Sequence, residues 1–249
     1  MKLDFVTQYM LRAFHAKPTP PGALMKAAGA FAERESEGKW VPITQVEVEP
    51  SGVASNIMAL TDESKGRSVR FGPRFVDATF QQIIRLSGAE MVPVEAPLFE
   101  AFLDQARKHL ATAIAVFPIE ATRLACVRSG LVFEGVDFEA ARKGLCSSPA
   151  DMPEPFEWDW RCAWTVRRTF GRWDEPTNTI AGVRRVTGNL GLESRQALLV
   201  TTDVNTAPEV DLARFDVTAL ADFVHESPGW HQQIDAMIDA AVSGGKDEL

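Results

Sequence analysis

The chain has 249 residues, of which 45% are hydrophobic and 24% charged, and its formal net charge is −8. This composition is typical of a globular protein that can fill a core, and no apolar run approaches the ~20 residues that a membrane span needs. The acidic balance argues against non-specific binding to nucleic acid or to an anionic membrane. No continuous apolar block opens the chain, so we expect no secretory signal and predict a cytoplasmic protein. The abundance of Arg and Ala hints at a GC-rich bacterial genome.

The three cysteines, Cys126, Cys146 and Cys162, are odd in number and far apart in the sequence. Such spacing is typical of reduced thiols in a cytosolic protein and does not suit a disulfide framework or a metal site. We therefore expect no metal and no cofactor.

The first third of the chain predicts a helix, a second helix and then strands. Residues 2–16 place apolar side chains at helical spacing, which favours a short helix, with a strand as the alternative. Residues 23–35 are Ala-rich and predict a helix. From Val41 the apolar period changes to two, so residues 41–48, 53–60 and 68–71 are predicted to be strands.

The middle of the chain predicts helix, strand and helix in turn. Pro97 can begin a helix that ends at Pro118, because a proline in the first turn lacks only an N–H that the helix does not use. Residues 122–134 predict a strand and residues 138–145 a short helix. Serines and prolines in 146–155 indicate a flexible connection. One domain over residues 1–249 is predicted, and a sub-division into 1–145 and 156–249 would fall at this connection.

The sequence from Phe156 to Phe170 alternates strictly between apolar and polar side chains. Trp158, Trp160 and Trp164 fall on one side of this predicted strand, and Arg161 and Arg167 fall on the other. Because each tryptophan can bury on the order of 200 Å², we predict that this is the central strand of an antiparallel sheet. Trp160 and Trp164 are predicted to be buried, and the two arginines exposed.

The last third predicts a β-hairpin followed by helix. Residues 179–190 and 196–205 would pair around Gly191, and Asp216 is a good helix N-cap. Two helical stretches then flank a break at residues 227–229. Paired strands followed by helices, without regular βαβ alternation, predict an α+β fold in which a mostly antiparallel sheet is covered on one face by helices, including a long C-terminal helix.

The search for catalytic motifs is largely negative. The sequence contains no GxGxxG, Walker, GxSxG or HExxH motif. Residues 36–39 satisfy SxxK, but they lack the companion motifs of that enzyme class. Whether the chain is an enzyme is left open, and the sequence leans toward a protein without catalytic activity.

Three groups of residues are candidate sites. Asp222, His225 and Glu226 combine carboxylates with an imidazole, which can serve acid–base chemistry or metal binding, although a solvated helix face is the simpler interpretation. Arg161, Arg167 and Arg184 could bind nucleic acid or phosphate, or could pair with carboxylates across strands. The three tryptophans of the predicted central strand could line a cavity for a flat ligand, or pack in the core.

The acidic residues are concentrated from residue 203 onward, where acids far outnumber bases. Asp235 and Asp239 lie in the last predicted helix beside an apolar stripe. If that stripe docks on the sheet, these acids point outward and form a surface for a basic partner.

Three segments together resemble a known family: residues 123–128 after a helix, residues 198–204 in a late strand that carries Asp203, and residues 223–226 before a helix anchored by Trp230. Their layout is similar to that of a sporadically distributed bacterial family of about this length, whose function is uncharacterised. The resemblance covers roughly the C-terminal half and implies no catalytic residues.

Three functions follow as hypotheses. The first is a non-catalytic interaction or adaptor protein of a bacterial multi-protein system, of the defence or toxin–antitoxin kind, with a protein partner or a second copy of itself. The second is a small-molecule binder or cryptic enzyme with a cavity between the tryptophan strand and the C-terminal helix. The third is nucleic-acid binding through the arginine-rich strands, which the net charge disfavours.

Overall fold

The computed structural model describes residues 1–35, 38–48, 54–87, 90–117, 120–146, 157–190, 193–207 and 214–242. Its elements confirm the predicted α+β class with an antiparallel sheet and a long C-terminal helix. In chain order they are β1 (Phe5–His15), α1 (Pro21–Arg34), β2 (Val41–Val48), β3 (Ala54–Asp62), β4 (Arg67–Gly72), β5 (Phe75–Phe80), β6 (Ile84–Ser87), β7 (Glu90–Pro93), α2 (Phe99–Val116), β8 (Ala121–Val132), α3 (Phe138–Leu145), β9 (Asp159–Phe170), β10 (Trp173–Leu190), β11 (Glu193–Thr206) and α4 (Val217–Val242).

Nine strands form one antiparallel sheet in the order β2-β3-β4-β5-β1-β8-β11-β10-β9, and β6 pairs with β7 apart from it. The order contains a repeat that the sequence does not reveal. In each half of the chain a strand is followed by a helix, then by a meander whose last strand returns beside the first, and then by a second helix. The two first strands, β1 and β8, pair antiparallel at the seam between the halves.

The helices pack on one face of the sheet, which we call the covered face. Phe31 of α1 meets Phe71, Phe99 of α2 meets Tyr9, and Phe223 of α4 meets Phe170, with ring centroids 5.0–5.9 Å apart. The alternate residues of each strand form the opposite face, which we call the open face. Because side chains alternate along a strand, the pairing register decides which residues share each face.

The prediction of a helix over residues 2–16 is wrong, because these residues form β1. A register shift between Val6 and Gln8 interrupts the strand's alternation. Val6 and Tyr9 therefore lie on the same face and are both buried, as are Leu11 and Ala13. A bulge of this kind places apolar residues three apart, which imitates helical spacing in the sequence.

The prediction that the tryptophan strand is central is also wrong, because β9 is an edge strand. Its two faces were assigned correctly, and Arg161 and Arg167 are exposed as predicted. The prediction that Trp160 and Trp164 are buried is wrong for Trp164, which is 36% exposed, and Trp160 is only partly buried. An edge strand has a neighbour on one side only, so its aromatic row is incompletely covered.

The C-terminal helix is continuous, so the predicted break at residues 227–229 is wrong. Pro228 lies inside α4, and the hydroxyl of Ser227 donates to the carbonyl of Phe223 at 2.7 Å. Asp216 caps the helix as predicted, since its carboxylate accepts from the backbone N–H of Ala219 at 2.8 Å. Apolar packing on both sides of the proline holds the helix together despite the missing hydrogen bond.

Other predictions concern the middle of the chain. The strand around 122–134, the helix over 138–145 and the hairpin of β10 and β11 are confirmed. The predicted flexible connection at residues 146–155 lies, apart from Cys146, outside the described residues. Within the described ranges, no helix is long and apolar enough to cross a membrane.

Candidate functional site

The centre of the open face is a charged cluster that joins three strands. The pairing register places Asp77 of β5 opposite both Arg12 of β1 and Arg70 of β4. The Asp77 carboxylate accepts from the Nε atoms of Arg12 and Arg70, each at 2.8 Å, and its Oδ2 lies 2.6 Å and 2.7 Å from their Nη2 atoms. The Asp77 side chain is fully buried beneath these two guanidinium groups. Burial opposes the charge of Arg70, but Asp77 outweighs it and raises the pKa of that arginine.

Two phenylalanines support the guanidinium groups of this cluster. Arg12 lies over the ring of Phe75 at 3.9 Å from the centroid and over Phe14 at 5.5 Å. The guanidinium group of Arg123 of β8 also lies over the ring of Phe14, 4.7 Å from its centroid. Contacts of this kind are attractive because the ring face is electron-rich, and they restrict the arginines to a few conformations.

The network continues across the seam into the second half of the chain. Arg123 donates to the side-chain oxygen of Asn205 at 2.8 Å, and Asn205 donates to Asp203 at 3.0 Å. Burial lowers the pKa of Arg123 and raises the pKa of Asp203, the latter against the opposing effects of Asn205 and Arg123. Hydrogen bonds between hydroxyl groups link the neighbouring strands beside this network, from Thr7 to Ser129 at 3.1 Å and between Ser129 and Thr201 at 3.0 Å.

The three arginines predicted to bind lie together on the outer part of the open face. Arg161 of β9 is opposite Gly182, and Arg184 of β10 is opposite Asp159. Arg167 forms an exposed ion pair with Asp174 at 3.0 Å. All three arginine side chains are exposed. Their position confirms neither binding nor a ligand, but it places them on the same surface as the central cluster.

The predicted acidic surface of the last helix is wrong for Asp235, whereas the side chain of Asp239 is 49% exposed. Asp235 is buried and faces the sheet, where its Oδ2 accepts from Nη1 of Arg128 at 2.7 Å. The terminal ammonium group of Met1 lies 3.2 Å from Asp235 and 3.1 Å from Asp239. Asp235 is therefore neutralised on the side that faces the sheet, and Asp239 alone of the two stays at the surface, where it pairs with the terminal ammonium group.

The acid–imidazole candidates lie elsewhere on α4. His225 and Glu226 are exposed, and Asp222 is half-buried beside the turn at Gly171. His225 borders a cleft of about 380 Å³ between α2 and α4, with Glu100 on the facing helix. The described residues contain no group of three or more potential metal ligands.

The space between the end of β9 and α4 is occupied by aromatic rings. Phe170 contacts Phe223 and Trp230 with centroids 5.6 Å and 6.2 Å apart. Trp158 is buried near the start of β9 and borders a different cleft, of about 610 Å³, together with Arg184. This second cleft therefore lies at the start of β9, and none of the residues that line it belongs to α4.

A further cleft lies on the open face, in the first half of the sheet. Its volume is about 640 Å³, and its walls include Gln45, Ser68 and Thr79. The hydroxyl groups of Ser68 and Thr79 are 2.6 Å apart. This part of the open face therefore offers a polar depression beside the charged cluster.

Sequence reasoning missed the central cluster. Arg12 and Asp77 are 65 residues apart, and Arg123 and Asn205 are 82 apart. No local spacing connects such positions, because strand pairing alone brings them together. The only signal was indirect, since Arg123 and Asp203 both fall in segments that carry the family resemblance.

Comparison of the chain with protein-family models and with curated proteins found no match. The resemblance to the uncharacterised bacterial family therefore stays a prediction.

Proposed function

We propose that the protein is a non-catalytic binding protein of the bacterial cytoplasm, whose open face contacts another protein within a multi-protein system of the defence or toxin–antitoxin kind. The observation that supports this proposal is the cross-strand cluster of Arg12, Asp77, Arg70, Phe75 and Arg123, which fixes charged groups on a face that none of the described helices covers, with Arg12 13% and Arg70 18% exposed.

The size of this face suits a macromolecule. Nine strands at ~4.8 Å spacing extend roughly 40 Å across the sheet, which exceeds the roughly 28 Å side of a square patch of about 800 Å², the area that a specific interface buries per partner. Arginines and aromatic residues are enriched at the centres of such interfaces. Because Arg12 and Arg70 are already held by Asp77, little side-chain ordering remains to oppose binding.

The charge pattern favours a protein over a polyanion. Arg12 and Arg70 share Asp77, Arg123 bonds Asn205, and Arg167 pairs with Asp174. Nucleic-acid binding gains affinity by neutralising phosphates with uncompensated cations. A face on which hydrogen-bond donors and carboxylates alternate instead matches a partner with a mixed polar surface. The proposal therefore does not need the basic partner that the acidic C-terminal region predicted.

Site-specific photo-crosslinking in the native cell tests the proposal. A photoreactive amino acid at Thr201, half-exposed in the middle of the open face, should form an adduct with one recurring protein. The matched control places the same group at Gln232, exposed on α4. Adducts that appear equally at both positions, or at Gln232 alone, would show that the open face is not the binding surface.

Nucleic-acid binding is a second candidate because Arg161 and Arg184 are exposed on adjacent strands of the same face. Fluorescence anisotropy with random-sequence single- and double-stranded oligonucleotides separates the two functions. Phosphate contacts would give an association constant that falls steeply as salt rises. Tight, salt-sensitive binding that is lost in Arg161→Ala with Arg184→Ala would favour this candidate and contradict the first.

A further inference from the structure

The outer edge of β9 is a long strand edge without a partner in the described part of the chain. β9 has twelve residues and pairs with β10 on its other side. The carbonyl of Trp158 accepts from the N–H of Arg185 at 3.3 Å, so even-numbered peptide groups point toward β10. The N–H and C=O groups of successive residues point alternately to the two sides of a strand. Those of the odd-numbered residues 159–169 therefore point toward the free edge.

This edge lacks the proline that commonly blocks pairing at an edge strand, although it carries the charged side chains of Asp159, Arg161 and Arg167. The opposite edge strand, β2, is shorter, with eight residues, and contains Pro42, which cannot donate a hydrogen bond. β9 contains no proline, and its covered-face row leaves Trp164 36% and Val166 44% exposed. Unpaired peptide groups beside exposed apolar side chains form a template for another strand.

We propose that a second copy of this chain pairs with β9, antiparallel and in the register that has its two-fold axis at Ala163. In this register Asp159 of each copy lies opposite Arg167 of the other, which gives two attractive pairs on the open face. A register centred on Trp164 would instead place Arg161 opposite Arg167 twice, and like charges directly opposite each other are destabilising.

The apolar row is also complementary in the same register. Trp160 lies opposite Val166 of the second copy, and Cys162 lies opposite Trp164. Val166 is thereby covered by the ring of Trp160 and Trp164 by the side chain of Cys162, and Arg161 meets Thr165, which is uncharged. Charge and apolar packing therefore select the same register.

The dimer would carry one continuous sheet with two open faces on the same side. This arrangement does not depend on the proposed function, because it uses the edge of the sheet and not the central cluster. It would present two copies of the binding face to a partner, and the second contact would then be intramolecular.

Charge exchange tests the pairing in solution. Sedimentation equilibrium should detect a dimer, and Arg167→Asp or Asp159→Arg alone should weaken it roughly tenfold by opposing like charges twice. The combined variant should restore the dimer, because it reverses both members of each pair. Arg172→Asp, an exposed arginine beyond the paired residues, is the control and should have no effect. A monomer at every concentration, or no recovery in the combined variant, would overturn the proposal.

Disulfide formation tests the register. Even-numbered residues of β9 would form non-hydrogen-bonded pairs, whose Cα atoms are about 4.5 Å apart and suit a disulfide. In a Cys146→Ser background, Trp164→Cys should yield, on mild oxidation, a dimer whose bond joins residue 162 to residue 164, as peptide mapping can establish. Cross-linking of native Cys162 to itself, or of Val166→Cys to Cys162, would identify a different register and contradict this one.

Discussion

Each face of the sheet contains a buried arginine–aspartate pair, and the two pairs have different roles. On the covered face Arg128 of β8 bonds Asp235 of α4, so the pair attaches a helix to the sheet. On the open face Arg12, Asp77 and Arg70 join strand to strand. The same chemistry therefore fixes a packing contact on one side and shapes an uncovered surface on the other.

The difference teaches that burial alone does not identify a functional charge. Asp77 and Asp235 are both buried, and their arginine partners are exposed to a similar small extent, 13% for Arg12, 18% for Arg70 and 10% for Arg128. The two pairs differ in what lies over them: Asp235 is part of a helix that packs on the sheet, whereas no described helix covers Asp77 and its two arginines.

The largest effect is expected for Asp235→Lys, which would place a second cation beside Arg128 in the helix–sheet contact. The free energy of unfolding should fall by at least roughly 4 kcal/mol, as for other broken buried pairs. Urea denaturation measures the loss. Glu226→Lys, a change of the same charge on the exposed side of α4, is the control and should cost under about 0.5 kcal/mol. Similar midpoints for the two variants would contradict the assignment of Asp235 to the covered face.

A smaller but still large effect is expected for Phe170→Ala. Phe170 is 1% exposed and contacts three rings, so its truncation should cost roughly 3–4 kcal/mol. Trp164→Ala on the same strand should cost less than half as much, because this side chain is already partly in water. Thermal and urea unfolding of the two variants would show whether the middle of β9 is a core strand or an edge.

Acid should weaken the covered face through His231. Burial, with smaller effects of Arg128 and Arg168, lowers the pKa of His231 to about 3, and its Nδ1 lies 2.7 Å from the hydroxyl of Thr202. The unfolded chain takes up this proton near pH 6.5 while the folded chain does not, so stability is full above that pH and declines as pH falls toward 3. The loss from pH 7 to pH 5 should be roughly 2 kcal/mol.

His231→Gln is the matched variant for this pH dependence. It should flatten the profile of unfolding free energy against pH over that interval. An unchanged slope would mean that other groups, such as the buried His15 and His109, carry the dependence.

The smallest effect on stability is expected on the open face, for Arg161→Ala and Arg184→Ala. Each should change the free energy of unfolding by under about 0.5 kcal/mol, because exposed charges contribute little. Both should nevertheless reduce the photo-crosslink formed at Thr201. Large destabilisation with an unchanged crosslink would mean that these arginines serve the fold.

The sequence predicted where helices and strands lie along the chain better than it predicted which strands pair with each other. Alternation in β9 assigned Trp164 and Arg167 to the correct faces, but alternation carries no information about which strands lie beside a strand. In β1 even the element was missed, because the register shift after Val6 removed the alternation. The cluster at Asp77 required the pairing of β1, β4 and β5, which no local pattern encodes.

The position of Asp235 could have been predicted. Ser227, His231 and Asp235 recur every four residues, and each is buried in α4. This spacing places them on the same side as Ile234 and Ile238, so the polar residues belong to the stripe that packs on the sheet. The acids were assigned to the outside by residue type, when helical spacing was the better guide.

The seam between β1 and β8 also has a consequence for synthesis on the ribosome. One edge of β1 pairs with β5, but the other edge can pair only after β8 has been synthesised. Ser129 of β8 and Thr7 of β1, which share a hydrogen bond, are 122 residues apart in the sequence. At about 5–20 residues per second, the roughly 40 residues between β5 and β8 take about 2–8 s to emerge. For those seconds the nascent chain presents the second edge of β1 unpaired, so this interval is when a chaperone or a misplaced strand would have access to it.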